Sequence, residues 1–309
     1  MLFKRLAAVL LSVILIFLCS CSATQSSDNS DDISKETDSV SDSSKLSSVE
    51  SKPTSVLPSS ESASVNPEDN WREHPENYNL IAFTFDDAPS FSTDSGNTTV
   101  SMINTLIKYN GSGTLFVQGE RLEKNGSKLL NFALDKGFEL GNHTYYHKSV
   151  STDEEGRTWT AEQNAEDYLK CHTLVEDETG FQMKYLRPAG GHTNAAVYSA
   201  AEQMGLPCIL GNRNEAISDW DASVESWQIA ERILNNSYDG AIILLHGWNS
   251  KSAKALEMAC EKLYEDGYRF CTLDELFEFK GKSISDVPKN SLVYGFDPET
   301  GEIQTTRGY

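Results

Sequence analysis

The residues whose types and spacing point to metal or acid–base chemistry are Asp86-Asp87, His143-x-x-x-His147, Arg187, Asp219 and His246. Nearly all sit just past the end of an apolar run between Leu80 and Thr272. The spacing of His143 and His147 suits two imidazole ligands of one metal, and the chain has only six histidines. Adjacent aspartates after a strand are, by themselves, more often turn or capping residues than catalytic ones. Where a zinc site of the H-E-x-x-H type carries its glutamate base, this chain has Thr144, so that arrangement is disfavoured. A base must come from elsewhere, and Asp86 is available. The set as a whole reads as an enzyme site.

Residues so far apart in sequence act together only if strand ends meet. Seven strands are predicted, at Leu80 to Phe85, Gly113 to Val117, Phe138 to Gly141, Lys184 to Leu186, Pro207 to Leu210, Ala241 to Leu245 and Arg269 to Thr272. Between them, apolar residues recur at helical spacing in Val100 to Lys108, Lys128 to Lys136, Ala161 to Val175, Asn194 to Met204, Trp227 to Asn235 and Ala253 to Tyr264. Strands alternating with helices imply a mostly parallel sheet. Because the candidate residues come from several strand ends, a closed or nearly closed barrel explains their convergence better than an open sheet with one crevice.

The ends of the chain suggest a compartment. Lys4 and Arg5 precede the apolar stretch Leu6 to Leu18, which is shorter than the roughly 20 residues of a membrane span and fits a secretory signal. It closes on Leu18-Cys19-Ser20-Cys21, which resembles the lipobox of bacterial lipoproteins and makes Cys21 the candidate lipidation site. An ordinary signal peptide is the alternative. Residues 22–70 are rich in Ser and Asp and lack aromatics. Such a stretch buries too little apolar surface to offset chain entropy and is expected to be a disordered tether giving reach from a membrane. Residues 71–280 have the composition of one globular domain, and residues 281–309 form a C-terminal extension with enough apolar residues for a hairpin or strand. A net charge of −20 at pH 7 argues against a nucleic-acid partner, which requires a basic surface. Cys171, Cys208, Cys260 and Cys271 show no C-x-x-C spacing, and no bridge is assigned among them.

Taken in order, Thr84-Phe85-Asp86-Asp87, His143-Thr144-x-x-His147, Arg187-Pro188-Ala189-Gly190-Gly191, Ser218-Asp219-Trp220 and Leu244-Leu245-His246 resemble the five motifs of the polysaccharide deacetylase family, the NodB-homology domain of carbohydrate esterase family 4. The resemblance covers Leu80 to Phe279. It implies an α/β fold, a distorted (β/α)7 barrel, and metal-dependent removal of acetyl groups from carbohydrate. Carried over by residue, it makes Asp87, His143 and His147 the metal ligands and Asp86 the general base, held by Arg187. It gives a backbone N–H near Gly190 to the oxyanion, makes His246 the general acid beside Asp219, and sets Trp220 and Leu244 along the acetyl pocket. An imidazole of ordinary pKa, about 6.5, would be mostly neutral at pH 7, so His246 needs that carboxylate. Zinc is the default metal, with cobalt, nickel or manganese also compatible with two imidazoles and one carboxylate. A surface ion pair is the alternative for Arg187, and ordinary core packing for Trp220 and Leu244.

Two departures from the family pattern stand out. The usual Arg-Pro-Pro-Tyr-Gly becomes Arg-Pro-Ala-Gly-Gly, with Ala189 and Gly190 in place of a proline and an aromatic; a backbone donor survives that change, but the groove loses a wall. His192 then either meets sugar in the opened space or is a loop residue without a role. Ala88 stands where the family often has glycine, which matters only if the backbone there has positive φ. The resemblance implies N-acetylated glycans such as peptidoglycan or chitin-like oligomers as substrates. Alternatives are an acetyl-xylan esterase and a noncatalytic glycan-binding surface lipoprotein. Against the last, no ligand, base or acid is missing.

Overall fold

The computed structural model describes residues 70–90, 97–123, 126–148, 158–211 and 214–307. The predicted signal segment with Cys21 and the tether up to residue 69 lie outside the described residues. Among the described residues, no helix is long and apolar enough to cross a membrane.

The strands are β1 (Asn79–Ala88), β2 (Thr114–Val117), β3 (Glu139–Asn142), β4 (Cys208–Ile209), β5 (Ala241–His246), β6 (Tyr268–Cys271), β7 (Ser291–Phe296) and β8 (Ile303–Arg307). Helices α1 (Thr98–Lys108), α2 (Gly119–Glu123), α3 (Ser127–Asp135), α4 (Ala161–Thr179), α5 (Ala195–Met204), α6 (Asn214–Ile217), α7 (Ser226–Asn235), α8 (Ser250–Glu265) and α9 (Leu273–Phe279) alternate with them. Local signals set the helix ends. Thr160 and Gln163 form a capping box at the start of α4, and Gly180 ends that helix in the left-handed region at φ 72°, where a residue without Cβ is unstrained.

β1 is the spine of the sheet. β5 runs parallel along one edge from Ile81 to Asp86, while the other edge is divided, β6 lying opposite Asn79 to Ala82 and β2 opposite Thr84 to Ala88. After Asn79 the whole of β1 is buried, as expected of a parallel strand covered on both faces. Its residues still sort by the period of two. Ile81, Phe83 and Phe85 pack with Met102, Ile103 and Leu106 of α1 and Leu256 and Leu263 of α8. Leu80 and Ala82 pack on the opposite face with Phe116, Ile242 and Phe277. Two residues further along that second face come Thr84 and then Asp86. The β1–β5 register pairs Asp86 with His246, so the parallel sheet itself sets two candidate groups side by side at neighbouring strand ends.

The sheet curls into an incompletely closed barrel, and two of the seven predicted strands behave differently from expectation. Lys184 to Leu186 is not a strand: only Leu186 bridges, to Asn142 on one side and Cys208 on the other. Pro188 and Pro207 flank this contact and have no N–H to extend a ladder, so the barrel is stitched there by isolated bonds. The predicted strand at Arg269 to Thr272 exists as β6 but pairs only with β1. The position between β5 and β4 is taken instead by β7 from the C-terminal extension, parallel to β4 and antiparallel to β5, with β8 returning antiparallel beside it. At the far end of β3 from its histidine loop, Glu139 accepts hydrogen bonds from Thr114 Oγ1 and Leu273 N, both at 2.5 Å. This carboxylate caps α9, and burial, with Asp274 nearby, pushes it up to about 7. Among the described residues, Cys171, Cys208, Cys260 and Cys271 are buried free thiols.

Candidate active site

The C-terminal end of β1, the loop after β3 and the loop before α7 hold residues in a backbone conformation that side chains with a Cβ rarely adopt. Asp87 has φ 58°, Thr144 67°, His147 55° and Ser218 49°. Left-handed backbone at non-glycine residues is sustained only where the surroundings fix it, and it clusters at functional sites. Ala88 is not among these residues, so replacing the family's glycine there costs no backbone strain. The strain falls one residue earlier, on Asp87. Hydrogen bonds hold the β3 loop in shape: Thr144 N donates to Asn142 Oδ1, Tyr146 N to Asp167 Oδ1 and His147 N to Thr144 Oγ1.

Asp87, His143 and His147 converge, with one potential ligand atom from each lying within 4.8 Å of the others. Asp87 Oδ1 is 3.4 Å from His147 Nε2 and 3.8 Å from His143 Nε2. That oxygen is buried and accepts no hydrogen bond among the described residues, the condition of an atom shaped for a cation. His143 Nδ1 lies 2.9 Å from the Arg187 carbonyl. A carbonyl only accepts, so Nδ1 carries the proton and Nε2 turns its lone pair toward Asp87, the usual way a second partner orients an imidazole ligand. Burial, reinforced by His143, lowers the pKa of His147 and favours its neutral, ligating form. Burial alone would raise Asp87, yet the nearby His143, His147, His246 and Arg121 hold it below the ordinary aspartate value. The three groups therefore fit a divalent metal in geometry, and the shifts of Asp87 and His147 favour their ligating forms.

Asp86 points its two oxygens at different partners. Oδ1 accepts from Arg187 Nη1 at 2.6 Å, and Oδ2 is 3.6 Å from His143 Nε2, at the edge of the candidate metal site. Arg187 is fully buried and so is no surface ion pair. Its Nη1 also reaches Thr84 Oγ1 at 2.8 Å and its Nε reaches Ile209 O at 2.9 Å. Nη2 meets no acceptor among the described residues, and the guanidinium lies 3.8 Å over the Phe116 ring.

Across the site, His246 Nδ1 is 2.7 Å from Asp219 Oδ1, and the backbone N–H of His246 donates to Oδ2 at 2.8 Å. Ser252 Oγ adds a third donor at 2.5 Å. Burial opposes the charged imidazole, but the Asp219 hydrogen bond and charge, with Asp86 and Asp87 behind them, raise His246 to about 9. In the metal-free chain its ring should therefore titrate near 9, and Asp219→Asn should bring it toward or below the ordinary value of about 6.5. An NMR pH titration reads this directly, and an unchanged value in the variant would refute the pairing. Because folding raises this pKa, the pair stabilises the fold fully below about pH 6.5, and that contribution is lost as pH climbs through about 9.

The remaining candidates are placed less tightly. Gly190 and Gly191 follow Arg187 in a short turn, both left-handed, at φ 63° and 70°, a path open to glycine that the family's aromatic would strain. His192 is exposed and folds back on the Gly190 carbonyl at 3.0 Å. Trp220 is 54% exposed, which is no core position. Leu244 is buried in an apolar cluster with Tyr168, Leu186 and Leu210. Two contributors carry no motif. Ser252, in the first turn of α8, holds Asp219. Trp248, two residues past His246, donates its Nε1–H to Asp87 Oδ2 at 2.9 Å. The only trace of Trp248 in sequence is an indole close behind a strand-end histidine.

A family model described as polysaccharide deacetylase matches residues 73–209. The chain is 31% identical over 226 residues to a bifunctional xylanase/deacetylase of Pseudobutyrivibrio xylanivorans, covering 71% of this chain and 34% of that protein. It is 32% identical over 212 residues to a peptidoglycan-N-acetylglucosamine deacetylase of Bacillus cereus, covering 67% of this chain and 92% of that one. Among solved structures, the Xyl-CE4 domain of a multidomain xylanase from the hindgut metagenome of Trinervitermes trinervoides superposes with a TM-score of 0.62 at 28% identity, covering 71% of this chain and 98% of that domain. The chain belongs to the polysaccharide deacetylase family. It spans only about a third of the length of the Pseudobutyrivibrio protein.

Proposed function

We propose that this protein is a metal-dependent hydrolase that removes acetyl groups from N-acetylated glycans of the peptidoglycan type. The observation that carries the reading is the cluster of Asp87, His143 and His147 around a buried carboxylate oxygen with no hydrogen bond. Those three residues would hold the cation, which when bound acts as a Lewis acid, activating water and polarising the acetyl carbonyl. Asp86 is the base: one oxygen is anchored by Arg187, and the other is left to take a proton from the attacking water. Oxygen from that water joins the carbonyl carbon, and a backbone N–H near Gly190 serves the charge that develops. As the carbon–nitrogen bond breaks, His246 gives its proton to the leaving amine, and acetate departs. Asp219 keeps that proton on His246 near neutral pH, and Trp220 and Leu244 are assigned to the acetyl pocket on the family resemblance alone. Zinc is the metal proposed, with cobalt, nickel or manganese able to replace it.

The name of the Bacillus cereus relative supports the amide reading, and the names of the two xylanase-linked relatives favour a second, release of acetate from acetylated xylan. The same groups serve both, since an alkoxide is easier to expel than an amine. A noncatalytic glycan-binding role is disfavoured because base, acid and ligand candidates are all present and connected. We place the protein on the outer face of a bacterial cytoplasmic membrane, held through a lipidated Cys21 and carried on the residue 22–70 tether. That placement rests on the Lys4-Arg5 start, the Leu6 to Leu18 run and the lipobox-like Leu18 to Cys21. The test is acetate release from N-acetylglucosamine oligomers and peptidoglycan set against acetylated xylan. Release from the amide substrates is expected, and release from xylan alone would replace this reading with the esterase one.

A further inference from the structure

Asp87 presents two chemically equivalent oxygens, and something must decide which one faces the histidines. Oδ1 is the oxygen directed at His143 and His147 and takes no hydrogen bond. Oδ2 is occupied by the indole N–H of Trp248 at 2.9 Å. An indole is a neutral donor with no acceptor capacity, so it orients the carboxylate without cancelling the charge a cation needs.

The loop that carries the indole is held on both sides of Trp248. Gly247 N donates to the Asp86 carbonyl at 2.8 Å, and Thr99 Oγ1 donates to the Gly247 carbonyl at 3.1 Å. A Cβ at Gly247 would lie 3.1 Å from Thr99 Oγ1 and 3.2 Å from Asp86 O, tighter than ordinary contact, so the approach of this loop to β1 depends on glycine. On the other flank Asn249 caps α8 by accepting from Lys251 N at 2.9 Å and donates its side chain to the Asp219 carbonyl. The loop carrying Trp248 is thus tied to the base segment on one side and to the partner of His246 on the other. The ring stands 5.8 Å from that of His246 and is 41% exposed, so it is not there to fill the core.

We propose that Trp248 is a positioning residue of the metal centre, its indole N–H fixing the Asp87 carboxylate so that Oδ1 is presented to the cation shared with His143 and His147. This rests on the reading of those three residues as metal ligands. Outer-shell partners of this kind are typically worth about ten- to a hundredfold in metal affinity. The experiment is calorimetric titration of zinc into the full chain, stripped with chelator, for the unaltered protein, Trp248→Phe, Trp248→Ala and Asp87→Ala. Phenylalanine keeps an aromatic ring and removes the N–H. Trp248→Phe should bind zinc about ten- to a hundredfold more weakly while melting, in chelator, with the unaltered chain. Its cobalt-loaded form should show a shifted visible spectrum, which a purely structural role would not produce. Trp248→Ala should lose no more zinc affinity than Trp248→Phe. Unchanged zinc affinity in Trp248→Phe, or a loss confined to Trp248→Ala, overturns the proposal. An unaltered chain that binds zinc no better than Asp87→Ala would overturn the ligand assignment and the proposal together. Absence of acetate release with zinc affinity behaving as described would overturn only the proposed activity.

Discussion

Asp86→Asn and Asp87→Asn, one residue apart, should fail in opposite ways. Asp86→Asn is expected to keep zinc affinity within a few-fold and to lose about a thousandfold in kcat, the middle of the range for removing a general base and equivalent to roughly 4 kcal/mol of barrier. An asparagine there still offers Oδ1 to Arg187 Nη1, so the contact now measured at 2.6 Å survives in weakened form while the proton acceptor is gone. Asp87→Asn should instead lose zinc by more than the tenfold to hundredfold typical of outer-shell partners, and activity with it, because the oxygen between the two histidines no longer carries charge. Zinc titration and initial rates at saturating zinc separate the two variants. Equal loss of zinc affinity in both would mean that the adjacent carboxylates share one role.

The second large effect concerns stability. Arg187→Ala removes the partner of a nearly fully buried carboxylate: Arg187 is 0% and Asp86 3% exposed. Breaking such a pair from one side costs about 3–5 kcal/mol, because the remaining charge has neither water nor a partner. The variant also gives up the bonds to Thr84 Oγ1 and Ile209 O and the contact with the Phe116 face. At about 2–4 °C per kcal/mol for a domain of this size, the melting temperature should drop by roughly 10 °C. Adding Asp86→Asn should return part of that loss, since two members of one buried pair are not additive. Thermal melts of the two single variants and the double variant decide this. A double variant whose loss equals the sum of the singles would show that Asp86 and Arg187 do not act as a pair.

The candidate site was legible to the extent that it is written in contiguous motifs. The His143 and His147 spacing, the paired aspartates and the strand-end His246 each name chemistry locally, and β1 with β5 follows from apolar runs that can be nothing but buried strands. Harder to read is whatever depends on register or on contacts between loops. That Asp86 and His246 are neighbours follows from the pairing of Ile81 with Ala241, which no composition encodes. Trp248 is informative only once the loop after β5 is seen to be tied to the Asp86 carbonyl. In the fold, Lys184 to Leu186 has the apolar content of a strand, but the prolines around the contact remove the donors a ladder needs. Ser291 to Phe296 carries the apolar residues of a strand, Leu292, Val293, Tyr294 and Phe296, but its place in the sheet is set by the edge that β4 and β5 leave between them and that its backbone satisfies. Sequence periodicity reports which side chains want burial. It reports little about which backbone edges remain unpaired.

The most direct test of the central claim is acetate release from an N-acetylglucosamine oligomer by the chelator-stripped full chain as zinc is added back, with His143→Ala in parallel. Release that rises with zinc and levels off near one ion per chain, and is absent in His143→Ala, is the expected result. Release that persists in excess chelator, or that never appears although the chain has taken up its zinc, would contradict a metal-dependent deacetylase.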